Sequence, residues 1–143
     1  MKRYAHVLAA VDLAENSEKV VAHAKEMAAL FGAKVSLIHV VEPLPGYGYA
    51  FVAPNDIESE LYEEAKKQLA KLADEFGIDP ANISVDMGPA KVQILGKAEE
   101  GKVDLIVVGT HKHLFLGVLG STANAIIHNA KCDVLTFRVD QDA

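Results

Sequence analysis

A single cysteine, Cys132, and a deficit of basic residues set the first limits on this chain. One thiol cannot close a disulfide within the chain, nor supply the thiolates of a zinc cluster. Cys132 opens a strand-like run, where the ordinary role is a small buried hydrophobe. Fourteen Lys and Arg against twenty Asp and Glu leave a formal charge of −6. That balance argues against a nucleic-acid binder, which carries a basic face, and against an acidic membrane surface. No stretch approaches the roughly 20 apolar residues of a membrane helix. Met1-Lys2-Arg3 ahead of Ala5 to Ala10 superficially resembles a secretion leader, but His6 and Asp12 interrupt the run and no credible cleavage site follows. The expected setting is cytoplasmic.

The familiar phosphate fingerprints are also missing. Neither a Walker A sequence nor G-x-G-x-x-G occurs, and Gly46-Tyr47-Gly48 lies in a proline-rich segment that reads as turn. Leu13-Ala14 follow Asp12 where a phosphoacceptor domain clusters carboxylates, and no flavin-type hydroxyl-rich loop stands there. Ser, His and Asp are present, yet no spacing ties them into a nucleophile, base and orienter. By themselves the residues do not indicate an enzyme.

What is present is a regular alternation. At 143 residues, half of them hydrophobic, the chain fits one globular unit over 1–143, long enough to bury roughly 68–70% of its unfolded surface. Strands are expected at His6–Val11, Lys34–Val41, Ile83–Met87, Val103–Val108 and Cys132–Val139. Asn16 or Ser17 can cap a first helix with Val20, Val21, Ala24, Met27, Ala28 and Phe31 on one face, ended by Gly32. Asp56 is expected to cap a long second helix bearing Ile57, Leu61, Ala65, Leu69, Leu72 and Phe76, its glutamates early and its lysines late. Gly88-Pro89 start a third, with Val92, Leu95 and Ala98 inward and Gly101 as its stop. Ser121 to Asn129 is the last helix. The resulting class is α/β: one doubly wound, Rossmann-like sheet of five parallel strands flanked by four helices.

That architecture locates a site. Ligands in such sheets gather at the carboxyl ends of the strands, where the winding reverses. If the first strand is central with the fourth beside it, Asp12 and Gly109 flank this crevice, and the Gly120-Ser121-Thr122 turn hangs over it. The run Val103 to Gly109, a polar loop, then Gly-Ser-Thr opening a helix is a seat for phosphate, made of bare N–H groups at a positive dipole end. Asp12 can accept from a ribose hydroxyl or help hold a metal, or it can simply bond the nearby backbone. His111 and His113 have metal-ligand spacing but no evident third partner, so solvated loop histidines are the expectation and no metal site is assigned. Ser121 can be no more than a helix cap, although Gly120 before it suits close approach by a ligand.

These pieces together resemble the universal stress protein family over essentially the whole chain. The matching segments are Val11-Asp12, Leu37-Ile38-His39-Val40, Val103 to Gly109, Gly120-Ser121-Thr122-Ala123-Asn124 and Cys132-Asp133-Val134-Leu135. The resemblance implies a cytoplasmic α/β dimer made under stress, in a family with one ATP-binding branch and one without. In the binding branch it implies Asp12 near ribose and base, Val40 against adenine through its backbone, Gly109 under ribose and phosphates, and Gly120, Ser121 and Thr122 around the phosphates, with magnesium. That branch carries G-x-x-G, about nine residues, then G-S or G-T. Here Gly109 and Gly120-Ser121 are kept, but Lys112 replaces the second glycine and only seven residues, His113 to Leu119, precede Gly120. The short loop resembles the non-binding branch, whereas Gly-Ser-Thr resembles the binding one. Lys112 adds a Cβ where glycine allows close approach, yet its ammonium can reach a phosphate.

The resemblance also implies dimerisation through the last strand, paired antiparallel across a two-fold axis. Val134, Leu135, Phe137 and Val139 would otherwise form a long apolar edge, which soluble proteins usually pair or blunt. The expected function is a dimeric stress-response protein with an ATP-holding crevice, acting through binding rather than turnover. Two alternatives stay open: an interaction module with an empty or anion-only crevice, and a slow ATP hydrolase in which Asp12 positions a metal and His111 or Lys112 meets the phosphates.

Overall fold

The computed structural model describes residues 3–13, 17–42, 54–110 and 121–138, with the backbone alone at 54–58, 110 and 121. Its strands are β1 (His6–Ala10), β2 (Lys34–Val41), β3 (Ile83–Met87), β4 (Leu105–Thr110) and β5 (Asp133–Arg138). Its helices are α1 (Ser17–Phe31), α2 (Pro54–Glu75), α3 (Ala90–Glu100) and α4 (Ser121–Asn129), with a 3-10 turn at Pro80–Asn82 before β3. All five strands lie in one parallel sheet in the order β3-β2-β1-β4-β5. The expected fold class is therefore the observed one.

Strand alternation divides the core into two layers. Val7, Ala9 and Val11 of the β1 segment join Leu37, Leu105 and Val107 under α1 and α2. Leu8 joins Ile38, Val40, Ile106 and Val108 under α3 and α4. Both faces of β1 and β4 are covered, which is why their sequences read as continuous apolar runs. The winding turns from the β2–β3 side to the β4–β5 side between β1 and β4, and that is the switch point.

Several boundaries shift for identifiable reasons. β4 starts at Leu105 because Asp104 turns aside: its Oδ2 accepts the N–H groups of Ala5 (2.8 Å) and His6 (3.0 Å), tying down the start of β1. α2 begins at Pro54 rather than near Asp56, since a proline N costs no hydrogen bond in a first helical turn. Its last turn holds no basic residue, so the expected match of late lysines to the dipole stops one turn short. Leu61 remains 42% exposed. The 22 residues of α2 span about 33 Å, against about 16 Å for the five residues of β3, so the helix outruns the sheet it covers. On α3 the buried pair is Ile94 and Ala98, while Val92 is 55% exposed: the inward stripe starts two residues later than expected. Cys132 is half-buried against the α3–α4 layer rather than fully enclosed.

Candidate functional site

β1 and β4 are paired from Val7↔Leu105 to Ala9↔Val107 and no further. Beyond that point each strand follows its outer neighbour. The N–H of Val11 still donates to the carbonyl of Ile38 on β2 (3.0 Å), while β4 continues beside β5 to Thr110↔Arg138. The ladder between the two central strands thus stops before their carboxyl ends, at the switch point where ligands of such sheets bind.

One side of this switch point is the Val11-Asp12-Leu13 turn. His39 Nδ1 lies 2.8 Å from the Val11 carbonyl oxygen, which can only accept, so the ring donates and pins the end of β1 to β2. Asp12 is exposed and its Oδ1 accepts from the hydroxyl of Ser17, the first residue of α1 (3.3 Å). Leu13 has φ of 60°, a left-handed conformation unusual for a branched side chain, and packs on the α1–α2 layer. The chain thereby leaves β1 sharply and presents the Asp12 carboxylate at the sheet's end. The other side is Gly109, half-buried and paired with Phe137 of β5.

Val40 lies one residue before the end of β2, buried in the α3–α4 layer and in register with Asp86 of β3. Just past it, Glu42 Oε2 accepts from the N–H of Ala90 (3.3 Å), so an acid from the end of β2 serves the α3 N-terminus, where Pro89 offers no side-chain cap. α4 runs back toward the start of β5, so its N-terminus points to the carboxyl end of the sheet. Ser121 is its first residue and the half-buried Thr122 its second. His111, Lys112 and Gly120 lie outside the described residues, as does Val139 of the expected dimer edge.

Of the residues expected at a site, the fold therefore brings Asp12, Val40, Gly109 and the Ser121-Thr122 start of α4 to one end of the sheet. His39, Ser17 and Glu42 were not anticipated there. His39 was visible only as part of an apolar strand, and nothing in sequence links it to a carbonyl 28 positions earlier. Among the described residues no cluster of three or more His, Cys, Asp or Glu could hold a metal ion, and no helix is long and apolar enough to cross a membrane.

The fold defines a class: doubly wound α/β proteins, whose ligand sites lie at the switch point. More narrowly, the model of the universal stress protein family matches residues 3–138, and the chain belongs to that family. Universal stress protein A homolog 2 of Coxiella burnetii is 44% identical over 143 residues, covering 97% of this chain and 98% of that protein. Universal stress protein MJ0531 of Methanocaldococcus jannaschii is 33% identical, covering 94% and 82%. Among solved structures, hypothetical protein MJ0577 superposes with a TM-score of 0.80 at 24% identity, covering 99% of this chain and 100% of that one. A universal stress protein in complex with cAMP gives 0.60 at 23% identity, covering 97% and 100%. These two likenesses show the shared fold.

Proposed function

We propose that this chain is a stress-response protein that works as a cytoplasmic homodimer and takes up ATP in the crevice between β1 and β4. The observation that carries the reading is the end of the β1–β4 ladder at Ala9 and Val107, with an exposed carboxylate beyond it on β1 and a side-chain-free residue beyond it on β4. Asp12 then serves ribose and base, the backbone at Val40 the adenine, and Gly109 the ribose and phosphates. Gly120, Ser121 and Thr122 receive the phosphates, with Lys112 and His111 as further phosphate partners. The crystallised relative with cAMP lends support, as a family member in complex with an adenine nucleotide.

Two carboxylates, Asp12 and Glu42, stand at this end of the sheet. A polyphosphate beside them calls for a counter-cation, and oxygen ligands of this kind suit magnesium. Bound magnesium would supply charge neutralisation between Asp12 and the phosphates. The edge position of β5, with Val134, Leu135 and Phe137 only part-buried, supports a second copy pairing there.

Calorimetric titration of nucleotide-free protein with ATP and magnesium tests the crevice. One site per chain is expected, and Gly120→Val abolishes it without unfolding the protein, because a Cβ there blocks close backbone approach. Absence of binding leaves the interaction module as the reading. ADP accumulating above background during the titration points instead to the hydrolase.

A further inference from the structure

At the opposite end of the sheet, His6 and Ser36 stand side by side on the face that carries α3. His6 Nδ1 is 3.0 Å from the carbonyl oxygen of Gly101, and Nε2 is 2.7 Å from Ser36 Oγ. A carbonyl cannot donate, so the proton of the neutral ring sits on Nδ1. Nε2 is then the acceptor, and the Ser36 hydroxyl points its proton at it. From this arrangement we propose that Ser36 is a nucleophile with His6 as its base and the Gly101 carbonyl as the orienter, able to take an acyl group from an activated ester. This site is independent of the crevice.

Three further features fit that role better than a simple clasp. The base is held rigidly: Asp104 Oδ2 accepts from the N–H of His6, and the Asp104 N–H donates to the His6 carbonyl (2.9 Å). The ring is also seated on a glycine, since a Cβ at position 101 would come within 3.3 Å of His6 Cε1. Finally, both partners are only half-buried, so a reagent can approach. A second serine on the same face, Ser84, provides the contrast. Its hydroxyl donates to Asp86 Oδ2 (2.9 Å), a carboxylate that also faces Lys97.

In the reaction the Ser36 oxygen bonds to the carbonyl carbon as its proton passes to His6 Nε2. The bond to the leaving oxygen then breaks, and the departing group takes that proton from His6. Water repeats the sequence, releasing the carboxylic acid and restoring Ser36, with nothing oxidised or reduced. Leu37, next to the nucleophile, is paired on both sides within the sheet. The strand therefore offers no ready oxyanion hole, and acylation with slow turnover is the expected behaviour.

The test is incubation of the full chain with excess fluorophosphonate, an active-serine probe, followed by intact mass and peptide mapping. One phosphonyl group on Ser36 and none on Ser84 is expected. His6→Gln should slow labelling about 100-fold or more, and Gly101→Ala should slow it while keeping the histidine, both with circular dichroism unchanged. An unlabelled wild-type chain, adducts scattered over other hydroxyls, or Ser36 labelling indifferent to His6→Gln in a folded variant would each overturn the proposal.

Discussion

Ala9 and Val107 are the last paired residues of β1 and β4, and the crevice proposed for ATP lies beyond them. Below them the two strands form a continuous apolar centre. Above them β1 belongs to β2 and β4 to β5. The His39–Val11 bond helps hold the end of β1 to β2.

His39→Leu should therefore lower stability by about 1–3 kcal/mol, the cost of leaving a partly buried carbonyl unserved. Urea unfolding with an unchanged slope is the measurement. The same variant should bind ATP more weakly, because the Asp12 turn then keeps only the Val11–Ile38 backbone bond to β2. A variant as stable as the wild type would show that Val11 is held by other contacts.

The end of α3 carries a left-handed residue, though not where glycine stands. Gly101 has an ordinary φ of −87°, and the following Lys102 takes φ of 52°. Glycine at 101 answers a need for space beside His6 and the Lys97 carbonyl, while strain is left on the lysine. Lys102→Gly should raise stability by roughly 0.5–1 kcal/mol, read as a higher urea midpoint. A lower midpoint would mean that the lysine side chain contributes more than its backbone costs.

Tyr4 donates to Asp133 Oδ2 (2.8 Å), joining the segment before β1 to the first residue of β5. That hydrogen bond, with lesser help from desolvation and from the carboxylate's charge, raises the phenol above its ordinary 10.0. A folded value above the unfolded one makes the contribution complete below pH 10 and lost as pH rises through the raised value. Ultraviolet titration, differenced against Tyr4→Phe, should show Tyr4 ionising later than 10.0, and Asp133→Asn should bring it back. Ionisation at or below 10.0 would contradict the bond.

β5 carries Leu135 and Phe137 toward the α1–α2 layer and Val134 toward the other, with the His23 and Phe137 rings 3.9 Å apart between centroids. If a second copy covers this edge, Leu135→Lys should convert dimer to monomer in sedimentation, since a charge on a paired edge is a standard block to association. A wild-type chain that sediments as a monomer would remove the dimer.

Much of this molecule could be read in advance, and the reasons are physical. Lys34–Val41, Ile83–Met87 and Ser121–Asn129 are found at the expected bounds, because strand period, capping residue and turn residues agree there. The pairing of β1 with β4 stands in the sequence only as a condition, which the strand order meets. Side chains that act at long range were not legible. Asp104 looked like the first polar residue of a strand yet serves two amides near residue 5. His6 and Ser36, 30 positions apart, become neighbours only through the parallel register that sets Leu8 beside Ser36. Val92 is outside the inward stripe because the apolar residues of α3 admit two stripes, and packing chose the one through Ile94.

The decisive measurement is mass spectrometry of whatever small molecule leaves the natively purified protein on heating or acidification. An adenine nucleotide approaching one per chain is the expected result, and it should be missing from Gly120→Val purified in parallel. A wild-type chain that releases none, and takes up none when ATP and magnesium are supplied, would leave the end of the β1–β4 ladder as bare architecture.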